Sequence, residues 1–159
     1  PVERKPVEAR AKEKNSGTDG IEKIQKLLIT WISEDPEIYY KIKSIIKPED
    51  FSDGIYAQVV KLVFDEYEKG NKVEPAKIIG YFEDATMQSE AAALFNAQLL
   101  GEIKEAERQK ALFDTIYRLK EDSLDKQSLK AIEKNDTALL QDIIRQKADL
   151  KKSIATALK

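Results

Sequence analysis

The acidic side chains of this chain come in clusters: Glu34-Asp35, Glu49-Asp50 with Asp53, Asp65-Glu66 with Glu68, and Glu83-Asp84. Converging carboxylates can run paired acid–base chemistry or hold a hard cation. The local pattern here points to plainer work. Asp35, Asp53 and Asp84 stand where helix N-caps belong. Asp65, Glu66 and Glu68 fall on the polar side of a helix. Gly54 follows too few oxygen ligands for a Ca2+-binding loop. Solvated or capping roles are expected for all of these carboxylates.

Other site chemistries lack their residues. The chain has no cysteine and no histidine. That removes zinc–thiolate sites, thiolate nucleophiles, histidine bases and histidine ligands. Serines and threonines have no histidine to activate them. Gly17 and Gly20 precede no strand, so no phosphate-cradling loop is built. Trp31 is in register with Ile24, Leu27 and Leu28, which makes it core rather than a ligand platform. No catalytic residue, metal or cofactor is expected, and an enzyme is not.

The 159 residues are 42% hydrophobic and 35% charged, a balance that suits a folded helical protein. No apolar run approaches the roughly 20 residues that span a bilayer, so no membrane partner is expected. The absence of a leading methionine fits a fragment of something longer. Net charge is −2 but unevenly spread. Residues 21–100 carry nine Lys/Arg against fourteen Asp/Glu, and residues 101–159 carry thirteen against eleven. The tail cations Arg145, Lys147, Lys151, Lys152 and Lys159 suit a solvated helix face near a C-terminus. No aromatics interleave with them, which argues against direct nucleic-acid binding.

Every periodic segment is helical. Residues 1–20 have the composition of a linker. Asp19, with Glu22, can cap a first helix bearing Ile24, Leu28, Trp31 and Ile32. Asp35-Pro36 opens a second, which Pro48 closes. A third carries Ile55, Val59, Leu62, Val63 and Tyr67 and stops at Gly70. A fourth begins at Glu74-Pro75, and a fifth near Gln88. The expected fold is all-α. A bundle over residues 21–100, with a core on Trp31, Phe51, Phe64, Phe82 and Phe95, is followed by a connecting helix at 101–122. A helical hairpin at 123–159 turns at Asn135-Asp136.

The feature with most functional content is the last helix. Leu139, Leu140, Ile143, Ile144, Leu150 and Ile154 recur at three-and-four spacing. A two-helix hairpin has no third layer to cover such a stripe. Leu140 and Ile144 widen it beyond one row. A partner-binding surface is therefore expected at Leu140, Ile143, Ile144, Leu150 and Ile154, serving either contact or hairpin support. Arg145, Lys147 and Lys151 would form its rim.

One family has segments like these. The runs Leu27-Leu28-Ile29-Thr30-Trp31-Ile32, Asp35-Pro36, Lys47-Pro48-Glu49-Asp50-Phe51 and Ile55-Tyr56 resemble, in order and spacing, the C-terminal domain of bacterial DNA primase. Pro75-Ala76-Lys77-Ile78-Ile79 and Ala92-Ala93-Leu94-Phe95-Asn96 extend the likeness, which covers about residues 21–99. The resemblance implies a bacterial, cytoplasmic replisome module that binds the N-terminal domains of the hexameric replicative helicase. It would tether primase to the fork and modulate the helicase, touching nucleic acid only through the full-length protein. It implies no primer synthesis by these residues themselves. Two alternatives stay open: the N-terminal domain of a replicative helicase itself, or a helical scaffold with nucleic-acid contact through its basic tail.

Overall fold

Why each helix begins where it does is visible in its first turn. In the computed structural model, which describes residues 20–95 and 105–159, α1 covers residues 20–34. The Asp35 carboxylate accepts from the Glu37 amide at 3.0 Å, and Pro36 opens α2 (Pro36–Ile42). A single 3-10 turn, Pro48–Asp50, leads to α3 (Ile55–Glu68). Next come α4 (Pro75–Gly80) and α5 (Ala85–Leu94). The two long helices, α6 (Glu105–Glu133) and α7 (Thr137–Ala157), follow. No strand occurs among the described residues. The protein is an all-α helical bundle. None of its described helices is long and apolar enough to cross a membrane.

Two sequence expectations need correction here. Asp53 does not cap α3. Gly54, at φ 95°, takes the N-cap position, with no side-chain cap bond. A backbone bond from the Ala57 amide to the Ser52 carbonyl ties down the entry instead. Helix α5 starts at Ala85, not near Gln88, because Asp84 caps it through the Thr86 amide at 2.9 Å. The expected Asp19 cap and residues 1–19 of the linker expected at 1–20 lie outside the described residues, while Gly20 already belongs to α1.

Helix α6 ends in a tight stop. Asn135 adopts φ 53°, and the Asp136 amide reaches back to the Ala131 carbonyl at 2.9 Å, closing a Schellman-type end. Asp136 immediately caps α7 by accepting from the Leu139 amide at 3.1 Å. Asparagine tolerates the left-handed conformation nearly as well as glycine does. Chain direction therefore reverses within three residues. Lys147 meets Asp125 and, one turn on, Lys151 stands over the Tyr117 ring, so α7 runs back along α6.

The core is one continuous cluster running from the short helices into α6 and α7. Trp31, Phe51, Phe64 and Phe82 are buried as expected, while Phe95 is only half-buried. The stripe on α7 has more cover than a two-helix unit would give it. Helix α2 packs against α7 and the 3-10 turn packs against α6, so the short-helix bundle supplies the third layer. Helix α6 passes residues 122 and 123 without a break.

Candidate protein-interaction surface

The residues best equipped for chemistry are already occupied. Asp50 is buried, and it accepts from the Lys47 amide at 2.8 Å, from Lys120 Nζ at 3.0 and 3.2 Å, and from Ser123 Oγ at 2.7 Å. It caps, as expected, but it also clasps the 3-10 turn onto α6. Glu66 corrects its expected place on a polar face. It is only 2% exposed, because α4 and Asn71 fold over it. Its carboxylate accepts from Asn71 Nδ2 at 3.1 Å, Tyr81 Oη at 3.2 Å and Lys77 Nζ at 3.3 Å. The Asn71 hydrogen bond, helped by Lys77 and Tyr81, holds that carboxyl below its usual range against the opposing effect of burial. The same bond to Glu66 holds the Lys77 ammonium above its usual range. No buried side-chain polar atom among the described residues lacks a partner. No group of three potential metal ligands occurs among them. These carboxylates fasten helices.

What remains open is apolar. Among the described residues, six large hydrophobic side chains are exposed, and four of them flank the α6–α7 turn: Leu129 (63%), Ile132 (56%), Leu139 (40%) and Ile144 (58%). They occupy the last turns of α6 and the first turns of α7. Exposing so many large aliphatics at one end of a molecule is unusual for a surface with no partner.

The residues expected to bind a partner divide by position along α7. Ile143, Leu150 and Ile154 are buried, lying inward as supports of the pair. Leu140 is half-buried, and Ile144 is exposed at the free end. Lys147 is engaged by Asp125, and Lys151 by the Tyr117 ring at 5.4 Å. Arg145 lines a cleft between α7 and the end of α2. The structure thus brings Leu140 and Ile144 together with the turn, and it directs Arg145 elsewhere.

Leu129 and Ile132 were not foreseen in the sequence. Their signal was available. Leu124 and Ala131, seven residues apart, define the buried row of α6. Ile132 sits about 100° from that row and Leu129 on nearly the opposite side. An apolar side chain out of phase with a helix's own buried row marks a surface with another use.

The arrangement is thus a helical body whose buried side-chain polar groups, among the described residues, are satisfied, with an apolar end on its longest helix pair. Comparison with family models, with curated proteins and with solved structures returns no match.

Proposed function

We propose that this chain is a non-catalytic protein-binding module. Its contact surface is the free end of the α6–α7 pair, and its partner is the N-terminal domain of a bacterial replicative helicase. The observation that carries the binding role is the concentration of Leu129, Ile132, Leu139 and Ile144 around one turn. These four side chains are already about half covered, so burying the remainder against a partner is worth roughly 1 kcal/mol each before association costs. The partner is named from the ordered segments over residues 27–96 that resemble the primase C-terminal domain. In that role the module tethers primase to the helicase, raising the local concentration of the polymerase at the fork.

The test is a titration of the immobilised chain with a bacterial helicase N-terminal domain. Saturable binding is expected, weakened at least about tenfold by Leu129→Glu or Ile144→Glu with an unchanged melting curve. No binding, or full binding by both variants, refutes the proposal. Ring or trimer formation by the chain alone favours the alternative that it is itself a helicase N-terminal domain. Tight binding to DNA with a steep salt dependence favours the scaffold alternative.

A further inference from the structure

Away from the apolar end, the line where α7 meets the end of α2 is incompletely filled. Two clefts of about 290 and 590 Å³ open along it and run into one another, since both are lined by Ser44, Ile45, Asp149 and Ser153. Lys41 and Lys47 stand on the α2 side, and Arg145 and Lys152 on the α7 side. Among the described residues, none of these four cations has a carboxylate within ion-pair distance, although the protein as a whole is acidic. Lys120, at the floor, is already neutralised by Asp50. Asp149 is the one unneutralised carboxylate lining these two clefts. The apolar side chain open to the clefts is Ile45, half-buried, with Leu124 and Leu150 packed beneath it at 0% and 4% exposure.

A cationic rim over an apolar floor selects a particular kind of occupant. Four unpaired cations on facing walls repel one another, and an incoming anion relieves that repulsion. The floor rewards aliphatic side chains, and no aromatic ring lines either cleft to stack a base. We propose that this seam is a second docking site, which takes an acidic amphipathic helix from a partner protein. Arg145 and Lys152 lie seven residues apart, two turns or about 10 Å along one face of α7, with Asp149 between them. A matching helix carries acidic residues two turns apart, a neutral or basic residue between them, and leucines turned to the floor. The seam stands apart from the apolar end, and the inference does not depend on the helicase reading.

The probe is a synthetic peptide of three heptads with glutamate first, leucine second and sixth, glutamine fifth and alanine elsewhere, which is net acidic. It is titrated into the full chain while backbone amide shifts are followed. Shifts are expected at Ser44, Gln146, Ser153 and Thr156, but not at Leu129 or Ile132. The same peptide with glutamine for glutamate should bind at least about tenfold more weakly, as should the glutamate peptide against an R145E/K152E double variant. Both substituted side chains are exposed and unpaired, so the variant should fold, as its melting curve will check. A glutamine peptide that binds equally well overturns the proposal, as does an unaffected double variant. So do shifts confined to the α6–α7 turn, or no shifts at all. Stronger binding of an oligothymidylate to the same amides overturns it in favour of a nucleic-acid groove.

Discussion

The two halves of the α6–α7 pair follow the same helical spacing and meet different fates. In the half beside the short helices, α6 buries Leu112, Thr115, Ile116, Leu119, Lys120, Ser123 and Leu124, and α7 buries Leu150 and Ile154. In the half beside the turn, only Ala131 and Ile143 are buried, and four large aliphatics face out. The difference lies in cover. Near α2 and the 3-10 turn, each long helix has neighbours on two sides, which is enough to bury even a lysine. Past that point each has only the other. An amphipathic pattern thus states that a face will be covered without stating by what. Where the molecule supplies no third layer, the pattern becomes an invitation to another chain.

This contrast can be broken most forcefully at Lys120. Lys120→Ala leaves Asp50 buried and unpaired, and should cost about 3–5 kcal/mol in urea unfolding. Lys147→Ala, which opens the exposed pair with Asp125, should cost under about 1 kcal/mol. Equal costs would mean that the covered half is not the anchored one. Next in size, Ile116→Ala, at a fully buried site, should cost about 2–5 kcal/mol, whereas Ile144→Ala should stay within about 0.5 kcal/mol. A large loss at Ile144 would make it a support and remove it from the contact surface.

The smallest effect sharpens the contrast by pH. Burial among α1–α3 pushes the Tyr67 phenol up to about 12, and its hydroxyl donates to the Ile32 carbonyl. A folded value above the unfolded one means stability is fully present below pH 10.0 and is lost as pH rises towards about 12. Wild type and Tyr67→Phe should therefore converge in stability over that window. A difference between them that stays constant through it would show that the phenol does not titrate with unfolding.

Much of this was legible from local signals. Asp35-Pro36 and Asp136 announce their helices because a cap acts on amides two or three residues away. Trp31, Phe51, Phe64 and Phe82 announce the core by spacing alone. Glu66 was misread, and Gln25 and Lys120 drew no reading, because their surroundings come from elsewhere along the chain. Gln25 is fully buried because its side chain bonds both the amide and the hydroxyl of Ser52. Glu66 is buried by residues of the following loop and of α4, and Lys120 by a carboxylate 70 residues earlier. Nothing in the local sequence of a lysine distinguishes a clasp from a solvated charge. At the candidate surface, Leu140 and Ile144 were visible as a widening of the stripe. Leu129 and Ile132 required knowing which row of α6 is inward.

The clasp also bears on how the molecule assembles itself. The α6–α7 turn closes within three residues, and the short helices meet through brief connections. Asp50 and Asp35 find Lys120 and Arg108 across 70 and 73 residues. Closing so long a stretch of chain is entropically costly, and contacts of that separation slow folding. The two local units should therefore take shape first and join last, with the clasp as the final event of folding. Opening in the reverse order would release the α6–α7 pair while each unit keeps its own helices.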